Sequence, residues 1–540
     1  MTPRYSVLAI VLPLRLRTAA TLLGVDSMPR PIRFLLNGEP RQVSGVDPHT
    51  SVLQWLREEA GLTGSKEGCN EGDCGACTVL IGRARAGRLA LAPINACIRL
   101  LPTIDGQALF TVEALSQPGR GALHPVQQAM VDMHASQCGF CTPGFVMTLV
   151  ALFKQTTVAP SHERVCEAIS GNLCRCTGYR PIVAAAQAMH RYAATAGPAG
   201  AADQDAPGRL RCWLAQPGQS AEIQPAERAL LDALSVLDDG EALDYEAAGV
   251  RFTAPRSPAA FADQVAGAPG AWIVAGATDV GLWINKALRR TDTLIYSGAV
   301  DGFERVDTTE TTISIGAAVT LAEAFDVLDR HYPEFAHVWR RFASWPIRSS
   351  GTLVGNVANG SPIGDSLPVL IALGATAVLQ HGATERRLPL EALYLDYRAQ
   401  AREPGEWLRA VEVPSRRALA GEGERLVVAA YKNSKRAEQD ISAVLTALAI
   451  AIDAGGRVVR ARIACGGMAG IVRRAPAAEA ALLDQPWCEA AVTKAAEAVA
   501  LDFEPLSDHR AGADYRLQVA RAHLLRAWRE WAGGEEVRVC

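Results

Sequence analysis

Nine of the thirteen cysteines lie between Cys69 and Cys176, while Cys212, Cys465, Cys488 and Cys540 are scattered singly over the rest of the chain. Clustering of this kind needs a cause. The odd count, the absence of a clear secretory signal and the tight spacings disfavour a disulfide framework and point to bound metal. Cys69, Cys74 and Cys77 form C-x4-C-x2-C, and Cys97 follows Cys77 after nineteen intervening residues. This is the plant-type spacing of a [2Fe-2S] cluster held by four thiolates. Gly68, Gly72 and Gly75 in the same stretch allow a loop to wrap the irons at positive φ and to aim backbone N–H groups at sulfur.

A second set comprises Cys138 and Cys141, in Q-C-G-F-C-T-P-G, and Cys174 and Cys176, in G-N-L-C-R-C-T-G-Y-R-P. Helix-start signals flank each pair: Pro125 before Val126 to His134, Thr142-Pro143 before Phe145 to Lys154, Ser161 before Glu163 to Ile169, and Pro181 before Ile182 to Ala193. These predict a four-helix bundle. Residues two apart do not share a helix face, so Cys174 and Cys176 are expected on a turn between helices. The competing reading of the eight cysteines is zinc or buried thiols, and zinc sites rarely use such spacings. Cys166, inside a predicted helix, and the four scattered cysteines read as ordinary core residues. Upstream, a hairpin (Arg33 to Leu36, Asn37-Gly38, Arg41 to Val46) and a helical stretch from Ser51 to Ala60 suit a small β-grasp domain.

At 540 residues the chain should hold roughly three to four domains. Lys plus Arg number 54 against 57 Asp plus Glu, which leaves no basic field for nucleic acid or an anionic membrane. The best N-terminal apolar run, Val7 to Leu14, contains Pro13 and stops at Arg15, too short to span a bilayer. A cytoplasmic location is expected. Residues 1–29 read as an extension, with Met28 an alternative start, and residues 196–245, rich in Ala, Gly, Pro, Gln and Asp apart from a periodic stretch at Ala226 to Leu237, read as a linker.

Two glycine-rich loops mark the second half. Ala271 to Ala275 reads as a buried strand, followed by Gly276-Ala277-Thr278-Asp279-Val280-Gly281 and a helical Leu282 to Leu288. Strand, glycine turn and helix form a phosphate cradle, or else a plain tight turn, since the pattern is not G-x-G-x-x-G. Residues 351–365 pack four glycines among small polar residues, a composition that brings many N–H donors to a ligand, with Asp365 placed to accept from ribose hydroxyls. Phe342 and Trp345 are candidates to lie against a flat ring, or are core. Two such loops converging on one dinucleotide suit a flavin.

The two cysteine sets in this order, followed by T-D-V-G and G-N-V-A-N-G-S-P-I-G-D, resemble the iron-sulfur and flavin subunits of the molybdenum hydroxylase family, and within it the bacterial xanthine dehydrogenases. The resemblance covers roughly residues 30 to 530. It implies a multidomain α+β fold: a β-grasp plant-type [2Fe-2S] domain (30–115), a four-helix-bundle [2Fe-2S] domain (116–195), a linker (196–245), a vanillyl-alcohol-oxidase-like FAD domain (246–425), a C-terminal α/β flavoprotein domain (426–530) and a tail (531–540). Cluster ligands would be Cys69, Cys74, Cys77, Cys97, Cys138, Cys141, Cys174 and Cys176. FAD contacts would fall on Val274, Ala275, Gly276, Ala277, Thr278, Asp279, Val280, Gly281, Phe342, Thr352, Gly355, Asn356, Asn359, Asp365, Leu408 and Lys432. Tyr397 would line the NAD site and Gln137 would contact the pterin.

Three residues depart from the family's pattern: Val354 stands for a glycine, Asn359 for a threonine and Gln439 for an acidic residue. No stretch is left for a molybdopterin domain, so the hydroxylation chemistry is expected on a molybdopterin-binding large subunit, in a heterotetramer of two small and two large chains. The implied role is an electron relay from hypoxanthine or xanthine oxidation through two clusters to FAD and NAD, or the same relay for aldehyde, carbon monoxide or another heterocycle.

Overall fold

A computed structural model describes residues 30–116, 123–193 and 206–533; the expected extension at 1–29, the end of the tail and Cys540 lie outside the described residues. The first unit begins with β1 (Ile32–Leu36) and β2 (Glu39–Val43), paired antiparallel from Ile32↔Val43 to Leu36↔Glu39. Asn37 and Gly38 both hold positive φ, as the two-residue turn matching strand twist requires. Helix α1 (Val52–Glu58) starts at Ser51, whose side chain accepts from the Gln54 N–H, and packs Trp55 edge-on against Phe34. With β3 (Thr78–Arg85), β4 (Arg88–Asn95) and β5 (Ala108–Phe110) the sheet order is β2-β1-β5-β3-β4, and β1 and β5 run parallel. One helix across such a sheet is the β-grasp arrangement.

The second unit contains α2 (Pro125–Asp132), α3 (Thr142–Gln155), α4 (His162–Ile169) and α5 (Arg180–Ala188). Every residue of α3 from Gly144 to Lys154 is buried, which an apolar helix at the centre of a bundle requires. The expected bundle is present, with a 3-10 turn at Met189–Tyr192 finishing the fourth helix.

Within the stretch expected to act as a spacer, α6 (Ala206–Leu214) and α7 (Pro225–Leu237) dock on both cluster-bearing units. Composition hid this, because the docking rests on a few side chains. Lys154 donates to the Trp213 and Gln216 carbonyls at 2.9 Å. Buried Glu227 accepts from Arg88 at 2.8 and 3.0 Å and from the Leu89 N–H at 3.1 Å. The linker expected over 196–245 is therefore corrected where the structure describes it: α6 and α7 are part of the iron-sulfur core.

The flavin-type unit opens with β6 (Leu243–Ala247) and β7 (Val250–Ala254), then α8 (Pro258–Gly267), β8 (Trp272–Val274), α9 (Val280–Asn285) and β9 (Thr293–Tyr296). Its strand order is β6-β7-β9-β8. Since β8 is an edge strand, Ile273 is 37% exposed and only Val274 is fully buried, in contrast to the buried strand expected. Helix α9 stops at Asn285, short of Leu288, which is exposed at positive φ. A five-stranded antiparallel sheet follows, with Trp407–Pro414 at its centre. The last unit is the meander Arg425–Asn433, Val444–Ile452, Val458–Gly466 and Arg473–Arg474, covered by helices Pro476–Leu482, Glu489–Asp502 and Ala513–Gly533. Among the described residues no helix is long and apolar enough to cross a membrane.

Candidate redox-cofactor sites

The register Thr78↔Asn95 ends the β3–β4 ladder just before Cys77 and Cys97, so the two thiols lie side by side at the open end of that hairpin. Both are buried; Cys69 and Cys74, on the preceding loop, are half-buried. Cys74 donates its N–H to the Cys69 sulfur at 3.4 Å. Hydrogen bonds among the thiols, donated by Cys74 and Cys97 to Cys69 and by Cys97 to Cys77, push Cys69 well down and Cys74 and Cys97 well up. Four thiols competing for protons in one small space form a donor set suited to deprotonation by a metal.

Gly75 holds φ +66, and a Cβ there would lie 2.1 Å from the Gly171 carbonyl oxygen. Gly68 needs no positive φ, unlike the expectation; it leaves room for the Cys74 sulfur, 2.8 Å from where its Cβ would stand.

Cys138 and Cys141 sit on the turn into α3, and Cys174 and Cys176 on the turn between α4 and α5, as the spacing anticipated. The thiols meet as pairs, Cys138 with Cys176 and Cys141 with Cys174. Burial first, then Cys174, pushes Cys141 up to about 12. A two-iron cluster takes two thiolates per iron, and the pairs suit it. Cys138, Cys176 and Gln137 are exposed, and Phe140 and Leu173 beside them are 46% and 53% exposed.

The two sets are joined directly. Leu173 donates its N–H to the Cys74 carbonyl at 2.9 Å. Asn172, buried and fixed by Thr148 at 2.8 Å, donates to the Gly75 carbonyl at 3.1 Å.

The remaining cysteines are not all core. Cys465 is buried against Thr446, as expected, but Cys166, Cys212 and Cys488 are only half-buried. Cys166 ends near the partly exposed side of α4, 3.7 Å from His162 Nδ1.

The two glycine loops converge as the sequence suggested. Val274 ends β8 and Ala275 to Asp279 form the turn, with Ala277 at φ 60, before Val280 and Gly281 open α9. Gly276 passes so close to the second loop that a Cβ would stand 2.0 Å from the Ser350 carbonyl oxygen. Thr352 caps the helix Leu353–Asn359 by accepting from the Gly355 N–H at 3.0 Å. Asn359 donates to Asp279 at 3.2 Å, and Asn356 accepts from Ser366 at 2.6 Å. Burial raises the Asp279 carboxyl above its usual range.

Asp365 differs from expectation. Its carboxylate is buried, paired with the buried Lys432 ammonium on one oxygen and bonded by Ser442 at 2.5 Å on the other. Each oxygen thus already has a partner within the chain. No local signal revealed Ser442, which lies 77 residues from Asp365 in sequence.

Phe342 is buried edge-on to Phe325, and Leu408 is buried on Trp407–Pro414. Trp345 turns away, packing on the helical unit with Arg164 over its ring, and so does not serve as a ring platform for this turn. Tyr397 is 57% exposed at a hairpin tip whose Tyr394 and Gln400 bond the Val357 and Ala358 carbonyls. The three departures have local partners: Val354 is core, Asn359 bonds Asp279, and Gln439 donates to the Ser170 carbonyl of the helical unit.

Comparison with known proteins agrees with this layout. Residues 34–98 match the 2Fe-2S iron-sulfur cluster binding domain, 111–187 the [2Fe-2S] binding domain, 248–416 the FAD binding domain in molybdopterin dehydrogenase, and 429–531 the CO dehydrogenase flavoprotein C-terminal domain. The chain is 30% identical over 513 residues to the xanthine dehydrogenase of Emericella nidulans, covering 88% of this chain and 36% of that protein. It is also 30% identical over 467 residues to xanthine dehydrogenase/oxidase of Felis catus, covering 81% and 34%. It thus spans about a third of the length of these relatives. A chain of carbon monoxide dehydrogenase from Hydrogenophaga pseudoflava superposes with TM-score 0.48 at 26% identity, over 52% of this chain and 96% of that one.

Proposed function

The chain belongs to the molybdenum hydroxylase family, within its iron-sulfur and flavin portion, and from that premise we propose that it relays electrons between a partner's molybdopterin centre and NAD. The observation that carries this reading is the order of the sites. The exposed Cys138/Cys176 face leads to Cys141 and Cys174, then through the Leu173–Cys74 hydrogen bond to the inner thiol set, and then to α9, packed on Ile98 beside Cys97.

Two [2Fe-2S] clusters would exchange single electrons, and FAD would connect them to a two-electron hydride acceptor. The eight thiolates hold the clusters, and the Ala275–Asp279 turn with Thr352 to Asn359 cradles the flavin. Buried Lys432, paired with Asp365, would lend positive charge to a reduced flavin bound there. Gln137, Phe140 and Leu173 form the face toward a molybdopterin-binding large subunit, in a heterotetramer of two copies of each. Tyr397 lines the NAD entry, and the reducing substrate is hypoxanthine or xanthine, as the 30% identical relatives' names suggest. The C-terminal match to a carbon monoxide dehydrogenase domain favours, as a second reading, the same relay serving another molybdenum hydroxylase.

Purified chain should contain about four irons, four labile sulfides and one FAD. Together with the partner it should reduce NAD when given xanthine. Zinc in place of iron would defeat the cofactor assignment; activity with carbon monoxide or aldehydes but not xanthine would favour the second reading.

A further inference from the structure

Cys97 closes the inner thiol set, and its backbone carbonyl is held from the flavin half of the molecule. Asn285, the last residue of α9, directs its side-chain amide at the thiol loop. Its Nδ2 donates to the Cys97 carbonyl at 2.8 Å and to the Asn70 side-chain oxygen at 3.1 Å, with the Asn70 carbonyl at 3.3 Å. Two amide protons thus serve three oxygens, two on the 69–77 loop and one on the turn that follows β4. Asn70 holds φ 57, an αL conformation that Asn tolerates but that gains from being held.

The contact is part of a longer fit. Gly281, near the start of α9, lies so close to Ile98 that a Cβ would stand 2.6 Å from the Ile98 carbonyl oxygen. Lys286, just past the end of the helix, pairs with Glu71 at 3.5 Å. Six helical residues extend about 9 Å. The Ala275–Asp279 turn is therefore at one end of a short rod and the Cys69–Cys77 loop at the other. The exposed Lys286 pair adds little. Half-buried Asn285 is the clasp, and neither cysteine spacing nor glycine composition marks it.

We propose that Asn285 is a positioning residue: its amide fixes the distance from the inner thiol set to the nucleotide turn, and so sets the rate of electron transfer between cluster and flavin. The inference rests on the cofactor assignment above. Transfer between two redox groups falls steeply with separation, and a site is only as well placed as the shell supporting it. Without the amide, the Asn70 oxygens and the Cys97 carbonyl lose their shared donor, and the thiol set, Cys69, Cys74 and Cys77 with Cys97, is free to shift as a whole relative to α9 without coming apart.

The test uses the full-length chain with its iron and flavin loaded, comparing Asn285→Asp, equal in shape but without the donor, and Asn285→Ala. Both should keep iron, sulfide and FAD at the unaltered chain's level. After a light pulse reduces the flavin through a deazaflavin donor, the inner cluster's EPR signal should appear roughly tenfold or more slowly, the kind of loss that small misplacement causes. A readout independent of transfer is amide hydrogen exchange, which should accelerate at residues 69–77 and stay unchanged at 138–141 and 174–176. Transfer at the unaltered rate in a fully loaded Asn285→Asp chain would overturn the proposal. So would loss of iron from both variants, which would make Asn285 a holder of the loop and not of its distance. An unaltered chain that takes up neither iron nor FAD would instead refute the cofactor assignment itself.

Discussion

Leu173 donates its backbone N–H to the carbonyl of Cys74 over 2.9 Å, so a residue adjoining one thiol set is bonded to a thiol-bearing residue of the other. The two sets come from different folds, a β-grasp loop and a helical turn, yet meet through main chain. Gly75 makes this possible, since its lack of a side chain admits the Gly171 carbonyl and the Asn172 amide.

Gly75→Ala should therefore be far costlier than a glycine-to-alanine change elsewhere at positive φ. Gly87 has φ +74 but open space around it, and Gly87→Ala should cost only about 1 kcal/mol. Gly75→Ala adds overlap with backbone atoms and should cost at least roughly 2 to 3 kcal/mol more. Thermal unfolding of the two variants, with iron content followed alongside, measures the difference. Equal losses would mean that the junction is not close-packed.

Acid should weaken the helical unit through His124. Its Nδ1 accepts from the Val126 N–H at 3.1 Å and its Nε2 faces the Leu214 carbonyl at 2.9 Å, so the ring caps α2 only while neutral. Burial lowers its pKa from 6.5 to about 4. A lowered folded value means that the unfolded chain binds the proton more readily. The contribution is complete above pH 6.5 and is lost as pH falls toward 4, by about 3 kcal/mol in all. His124→Gln should be less stable at pH 7.5 and should lose less on acidification between pH 6.5 and 4. Parallel pH curves for the two proteins would refute this.

Removing the Lys432 ammonium should do more than alter the flavin's surroundings. Lys432→Met leaves the Asp365 carboxylate buried with Ser442 alone, and breaking such a pair costs about 3 kcal/mol or more. Lys432→Met with Asp365→Asn should recover much of that loss. Denaturant unfolding of the single and double variants gives the coupling. NAD reduction should slow in both variants, while dye reduction at the molybdenum side persists. Full additivity would show that the two groups do not act as a pair.

What the sequence revealed and what it hid follow from the range of the interactions. That Cys69, Cys74, Cys77 and Cys97, and Cys138, Cys141, Cys174 and Cys176, belong together was legible because spacing is a local pattern, and the helix starts at Ser51 and Ser161 because capping is settled within three residues; the helix Leu353–Asn359 behind Thr352 was not, because its glycines and small polar residues read as loop. The edge position of β8 was not legible: a three-residue apolar strand reads alike at the centre or the rim of a sheet. Asp365 was assigned to a ribose because its loop looks like a nucleotide loop, whereas its partners arrive from Lys432 and Ser442 on a later unit. Glu227 was hidden for the same reason, being bound by Arg88 from the first unit.

The order of the relay is most directly tested with Cys74→Ala in the complex with the partner, using protein shown to lack the inner cluster and to retain FAD. Xanthine should still produce the EPR signal of the helical cluster held by Cys138, Cys141, Cys174 and Cys176, because that cluster comes first. The flavin should remain oxidised and NAD reduction should cease, while NADH added from the other side should still bleach the flavin. Flavin reduction by xanthine at the unaltered rate in that protein would contradict the linear order from the exposed thiol set, through the inner one, to the flavin.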